Sequence, residues 1–209
     1  MILAGGGSTR LGRDKASERV NGRPLVQWVA DRLALLADEI LVVKAAGQEL
    51  PPIEVAKPVT AVDDVLPERG PLGGIYSGLQ HASHDLSIAV GCDMPMLSVP
   101  LLWELCLLAE GYDVVMPTRA GQPQPLHAVY RRSCIQPMGE ELGMGNLRVI
   151  SFLHAVRVRY VDEEIWARED PEGLSFFNVN TEEDLRRAAR LVKQRKLRPE
   201  RHEPSSSER

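Results

Sequence analysis

The chain has 209 residues, 44% of them hydrophobic, and its 29 acidic and 25 basic side chains leave a formal net charge of −4. That length suits one domain, or one domain with a tail, burying a core without disulfide support, and the charge balance excludes the electrostatic footprint of a nucleic-acid binder. There is no run of roughly 18 apolar residues for a membrane span, and Cys92, Cys106 and Cys134 form no CxxC pair, so a cytoplasmic protein with reduced thiols and neither nucleic-acid nor membrane partners is expected.

Short apolar runs alternate with amphipathic stretches along the chain, which predicts an α/β fold with a mostly parallel sheet flanked by helices. A first strand of about four residues runs into Gly5-Gly6-Gly7. Leu25, Val29, Leu33 and Leu36 fall at helical spacing, and Glu39 to Lys44 follows as a β-branched strand. Residues 47 to 58 carry Gly47, Pro51, Pro52 and Pro58 and are expected to form a loop. Residues 67 to 78 make a turn into a helix carrying Leu72, Ile75 and Leu79, and Ser87 to Val90 is a buried strand leaving Asp93 at its C-terminal end. Ser98 and Pro100 open a helix over 101–110, and Asp113 to Met116 adds another strand. Residues 118 to 125 are expected to order around substrate, Leu126 to Arg131 and Val156 to Val161 to be strands, and Asn146 to Leu153 a short helix. Thr181 to Asp184 has the form of a capping box and starts a basic helix to about Arg195, with residues 196–209 as a disordered tail after a domain of residues 1–195.

The strongest chemical signal is LAGGGSTRLGRDK, residues 3 to 15. Successive glycines after a strand allow close approach of backbone to ligand, and Arg10 and Lys15 can neutralise a triphosphate. The Walker pattern fails because Gly12 is followed by Arg13-Asp14, and the dinucleotide fingerprint fails because Arg10 stands at its third glycine. Asp93 in GCDMP lies where open α/β sheets bind ligands, and its carboxylate suits a hard cation such as Mg²⁺ shared with phosphate oxygens. Asp63, beside Asp64 in the loop ahead of GPLGG, is either a solvated acid or an acceptor for a nucleotide. Asn178 and Asn180 in FFNVN alternate along an extended segment, which directs both amides to one side. His127 and His154 lack partners at metal-ligand spacing and are expected to pack or to form hydrogen bonds.

Together these segments resemble the molybdenum cofactor guanylyltransferase family, through LAGGGSTRLGRDK, NGRPL at 21–25, GPLGG at 70–74, CDMP at 92–95, PLHAVYRR at 125–132 and FFNVNTEEDL at 176–185. The resemblance spans about residues 1 to 190. It implies a Rossmann-like nucleotidyltransferase domain that transfers GMP from GTP to molybdenum-bound molybdopterin, with molybdoenzymes or their chaperones as receiving partners. It also implies that Leu3, Ala4, Gly5 and Gly6 contact the nucleotide, that Lys15 and Arg10 serve its phosphates, and that Asp63 contacts it. Asp93 falls on the Mg²⁺ ligand, and Asn178, Asn180 and, more loosely, Arg148 on the pterin side. Ala45-Ala46 stands where the family often has an Asn against the guanine nucleotide. Three rival expectations follow: a cytidylyltransferase of the same cofactor, a sugar-phosphate nucleotidyltransferase, and a non-catalytic GTP-binding adaptor.

Overall fold

The chain enters its sheet at once: β1 (Ile2–Leu3) precedes the glycine-rich segment, after which come a single 3-10 turn at Lys15–Ser17 and a hairpin of β2 (Arg19–Val20) and β3 (Arg23–Pro24). The computed structural model describes residues 1–5, 14–66 and 69–197. The elements that follow are α1 (Leu25–Leu33), β4 (Ile40–Lys44), β5 (Val59–Asp63), α2 (Gly70–His81), β6 (Leu86–Gly91) and α3 (Val99–Leu107). Then come β7 (Val114–Arg119), β8 (Gln122–Pro123), β9 (His127–Arg131), α4 (Ile135–Gly143), β10 (Val158–Val161), α5 (Glu163–Trp166) and α6 (Glu182–Leu197).

The main sheet has the order β10-β7-β9-β6-β1-β4-β5, with β8 paired to β7. β1 lies parallel between β4 and β6, β5 extends the parallel set, and β10 pairs parallel with β7. β9 is inserted antiparallel between β6 and β7. The sheet is thus mixed, with its parallel part centred on β1, and the C-terminal ends of β1, β4 and β6 lie on one edge.

Strand residues alternate between two apolar layers. Leu3, Leu41 and Val43 join Leu72, Ile75 and Leu79 of α2 and Met138 and Leu142 of α4 on one face, while Ile2, Ala4, Ile40 and Val42 join Val26, Val29 and Leu33 of α1 and Leu102 of α3 on the other. Because both faces are covered, β4 is apolar from Ile40 to Val43, as expected for a central parallel strand. Truncating a fully buried member such as Leu72 to Ala should cost about 2–5 kcal/mol. A third cluster packs Leu185, Ala188 and Val192 of α6 against Val20, Trp28, Met96 and Val179, which fixes the last helix beside the hairpin.

Several boundaries differ from the sequence expectations. β5 has mostly exposed side chains, so its sequence carries no strand periodicity. α4 contains Pro137 and Gly139, which conceal a helix. In place of a helix over 146–153, the Gly145 and Asn146 N–H groups donate to the Leu142 and Glu141 carbonyls at 3.1 and 2.9 Å, a Schellman termination of α4 with Gly145 at φ +79°. A 3-10 helix then covers Ser151–Ala155. Residues 118 to 123 form a tight hairpin whose tip, Ala120 and Gly121, has φ +49° and +73°, the pair of left-handed residues that a two-residue turn requires.

The helix starts behave as read. Ser98 Oγ caps α3 by accepting from Leu101 N. Thr181 Oγ1 accepts from Asp184 N at 3.1 Å and Asp184 Oδ2 from Thr181 N at 2.9 Å, the reciprocal pair of a capping box. α6 continues to Leu197, and the remaining tail lies outside the described residues.

Candidate functional site

At the end of β1, Ala4 N and Gly5 N both donate to Val43 O, at 2.8 and 3.1 Å. A Cβ on residue 5 would stand 3.1 Å from Ala45 N, so a side chain there would push the backbone at the end of β4 away by a few tenths of an ångström. Those two N–H groups are therefore engaged within the protein, and Ala4 O already accepts from Gln48 Nε2 at 3.2 Å.

Asp14 organises the return of the chain. Its Oδ1 accepts from Ala16 N at 3.2 Å and its Oδ2 from Ser17 Oγ at 2.8 Å, so the Lys15–Ser17 turn is capped by the residue before it. On the neighbouring strand, a Cβ at Gly91 would lie 2.6 Å from Asp93 Oδ1. The missing side chain at 91 is the space into which the Asp93 carboxylate folds. Asp93 O in turn accepts from Val179 N at 2.9 Å, and Val179 is fully buried, which docks the FFNVN segment against the end of β6.

These three local arrangements converge on one ammonium group. Lys15 Nζ donates to Asp93 Oδ2 at 3.0 Å and to Asn180 Oδ1 at 2.6 Å. The side chains of Lys15 and Asp93 are 24% and 17% exposed, so the pair is partly screened yet open to a ligand. An ammonium shared by a carboxylate and a neutral amide can be drawn onto phosphate oxygens, leaving the carboxylate free to face a cation.

Among the other expected residues, Leu3 and Ala4 are buried and can touch a ligand only through backbone. Asp63 is not in a loop: it is the last residue of β5, opposite Lys44, whose Nζ lies 2.5 Å from its Oδ1. Asn178 is exposed, with its amide donating to Phe176 O at 3.5 Å. Arg148 is exposed in the turn after α4, and its backbone N–H donates to Asn146 Oδ1 at 3.3 Å. Among the described residues, no hydrogen bond or ion pair joins its side chain to Lys15, Asp93 or Asn180. Gly6 and Arg10 lie outside the described residues.

Residues 1–158 match the model of the MobA-like NTP transferase domain. The chain belongs to the molybdenum cofactor guanylyltransferase family. It is 38% identical over 189 residues to the probable molybdenum cofactor guanylyltransferase of Pelotomaculum thermopropionicum, covering 90% of both chains. It is 30% identical over 195 residues to the molybdenum cofactor guanylyltransferase of Desulfosudis oleivorans, covering 92% of this chain and 95% of that one. The molybdopterin-guanine dinucleotide biosynthesis protein A of Archaeoglobus fulgidus has the same fold, with a TM-score of 0.76 at 24% identity over 92% of this chain and 97% of that one. The 2-C-methyl-D-erythritol 4-phosphate cytidylyltransferase of Thermus thermophilus shares it as well, with a TM-score of 0.65 at 17% identity, covering 92% of this chain and 97% of that one, so the fold alone does not select the nucleotide.

Within this guanylyltransferase-family chain, Asn180 also borders a cleft of about 350 Å³ lined by Arg119, Gly173, Phe176, Asn178 and Arg187. The Arg119 guanidinium lies 5.7 Å above the Phe176 ring and that of Arg187 lies 5.0 Å above Phe177. The two asparagines therefore do face one cleft. Neither arginine has a motif signal in the sequence, since each is a surface cation identified only by the aromatic ring beneath it. Glu172 and Asp184 border the cleft too, and the Asp184 carboxylate is engaged in its helix cap.

Among the described residues no group of three or more His, Cys, Asp or Glu side chains is placed to enclose a metal ion. The Asp93 carboxylate, at the C-terminal end of β6, fits Mg²⁺, which is commonly held by one or two carboxylates together with substrate phosphates and water. Cys92, buried next to Asp93, has its thiol pKa pushed up by burial and then by that neighbouring carboxylate, so it stays protonated and is no nucleophile. His127 packs edge-on to Phe176 at 4.8 Å with both ring nitrogens unpartnered among the described residues. Burial lowers its pKa to about 3, making it a neutral packing residue.

Proposed function

We propose that this chain transfers GMP from GTP to the terminal phosphate of molybdenum-bound molybdopterin in the cytoplasm, forming the guanine dinucleotide cofactor and releasing pyrophosphate. Family membership supports the reaction class, and the relatives' names supply the nucleotide and acceptor. The observation that carries the reading is Lys15 Nζ held between Asp93 and Asn180, because it joins the expected phosphate, metal and acceptor residues at one point.

In the proposed reaction an acceptor phosphate oxygen attacks the α-phosphorus of GTP in line, and the bond to the pyrophosphate oxygen breaks. Lys15 moves from Asp93 to the phosphate oxygens and stabilises the charge gathering on the leaving pyrophosphate, aided by Arg10. The Ala4 and Gly5 carbonyls accept from the base, and Asp63 contributes a further acceptor at the same edge. Asp93 would hold Mg²⁺, which would supply electrostatic stabilisation of the triphosphate. Asn180 remains at the junction with the cleft, where Asn178, Arg119 and Arg187 orient the anionic acceptor, and Arg148 is a looser candidate for contact with it. No covalent protein intermediate is formed.

The first test is a thermal-shift comparison of GTP, CTP, ATP and UTP, each with Mg²⁺. A ligand present at 100 times its Kd should add about 2.7 kcal/mol, raising Tm by roughly 5 to 11 °C in a domain of this size. A rise specific to GTP is expected. A rise specific to CTP, or none with any nucleotide, would overturn the reading.

A further inference from the structure

Gln48 lies in the proline-rich connection between β4 and β5, a stretch with no recognisable motif, yet its amide is fully employed at the site. Its Nε2 donates to Asp14 Oδ1 at 2.8 Å and to Ala4 O at 3.2 Å, while its Oε1 accepts from Ala45 N at 2.9 Å. Its side chain is partly buried, whereas Ala45, Ala46 and Gly47 before it are exposed. One amide thus joins three segments: the end of β1, the residue that caps the Lys15 turn, and the end of β4. Ala4 lies just before the glycine-rich segment and Asp14 near its far end, and Gln48 is 44 and 34 residues away from them in sequence.

We infer that Gln48 is a positioning residue for Lys15, acting through Asp14. The Asp14 carboxylate accepts from Ala16 N, from Ser17 Oγ and from Gln48 Nε2. The first two bonds shape the turn, and the third ties its first residue to the ends of β1 and β4, in addition to the core packing of Ala16 and the bond of Lys15 to Asp93. Without it the cap remains, but the turn carrying Lys15 loses its tether beside Ala4. The bond to Ala4 O sets the distance between the carbonyl facing the base and the ammonium facing the phosphates. Gln48 therefore fixes the span over which a nucleoside triphosphate lies. Its amide hydrogens are both engaged, so it acts on the ligand through Asp14 and Ala4. The consequence for a triphosphate rests on the functional reading above, whereas the placement of Lys15 does not.

Two variants separate a tether from a mere turn residue. Gln48→Ala removes every bond, whereas Gln48→Glu keeps an acceptor for Ala45 N and sets a carboxylate against that of Asp14, where like charges repel. The readouts are the acylation rate of Lys15 by an amine-reactive ester in nucleotide-free protein, followed by mass spectrometry with Lys44 as internal reference, and the Kd of a fluorescent GTP analogue with Mg²⁺. Both variants should acylate Lys15 several-fold faster and bind the analogue about tenfold more weakly, and adding Asp14→Asn to Gln48→Glu should restore part of the loss in each. Wild-type acylation rate and Kd in Gln48→Glu would overturn the assignment. If wild type binds no analogue while Lys15 reactivity still rises in both variants, the nucleotide reading fails and the positioning role stands.

Discussion

The Lys15 ammonium and the Asp93 carboxylate meet at 3.0 Å across 78 residues of sequence, and Asn180 takes a second hydrogen bond from the same ammonium. Without nucleotide, each charged group satisfies the other. In the proposed reaction a triphosphate with a divalent cation would replace both partners at once, so binding of the two should be strongly interdependent.

Asp93→Ala should lower kcat/KM for GTP at least a hundredfold, the scale set by loss of an electrostatic stabiliser. A partly exposed pair contributes about 1 kcal/mol to stability, so Tm should change by only a few degrees. Steady-state kinetics at several Mg²⁺ concentrations checks this, and activity retained at saturating Mg²⁺ would exclude Asp93 as the ligand.

Lys15→Ala should raise KM for GTP and also lower kcat, because the ammonium is proposed to bind phosphate in the ground state and to stabilise charge as pyrophosphate leaves. An unchanged kcat/KM would leave Lys15 as no more than the structural partner of Asp93.

Gly91→Ala separates activity from stability. The added methyl would collide with Asp93 Oδ1 at 2.6 Å, while the next nearest atom, Met94 Cγ, lies at 3.6 Å. A side-chain oxygen can swing away cheaply, so stability should fall by less than about 1.5 kcal/mol, at the low end of the usual range of about 1–3 kcal/mol for overpacked cores, while activity drops more than tenfold because the carboxylate is displaced. Urea denaturation with parallel kinetics tests the split, and full activity would mean that Asp93 works from a different rotamer.

His127 gives a pH signature. Its folded pKa is lowered to about 3 by burial, against about 6.5 in an unfolded chain. As pH falls below about 6.5 the unfolded chain takes up a proton that the folded chain refuses, which costs stability at up to about 1.4 kcal/mol per pH unit. His127→Leu should therefore match wild type near pH 7.5 and become relatively more stable toward pH 4.5. Denaturation curves for the two proteins that stay parallel across that range would show that His127 titrates normally.

How much of this was legible in the sequence depends on whether the signal is local. β4 and β6 each carry a run of apolar residues, Ile40 to Val43 and Ile88 to Val90, and Ser98 and Thr181 cap helices through their immediate neighbours, so composition and spacing locate them. Asp93 is legible because Pro95 stops the chain just beyond a buried strand. β5 escaped because an edge strand with exposed side chains has no apolar pattern, and α4 because Pro137 and Gly139 interrupt its helical signal. The meeting of Lys15 with Asn180 spans 165 residues, and no local pattern encodes it; the family resemblance assigns Lys15 to the nucleotide phosphates and Asn180 to the pterin side without joining them. Gln48 and the arginines over Phe176 and Phe177 were invisible for the same reason, since their significance lies wholly in tertiary contacts.

The most direct measurement incubates the protein with GTP, Mg²⁺ and molybdenum-loaded molybdopterin, quantifies pyrophosphate and identifies the product by mass spectrometry. One pyrophosphate for each guanine dinucleotide formed, with neither produced by Asp93→Ala, is the predicted result. Tight GTP binding without pyrophosphate release, or a dinucleotide formed from CTP and not from GTP, would contradict it.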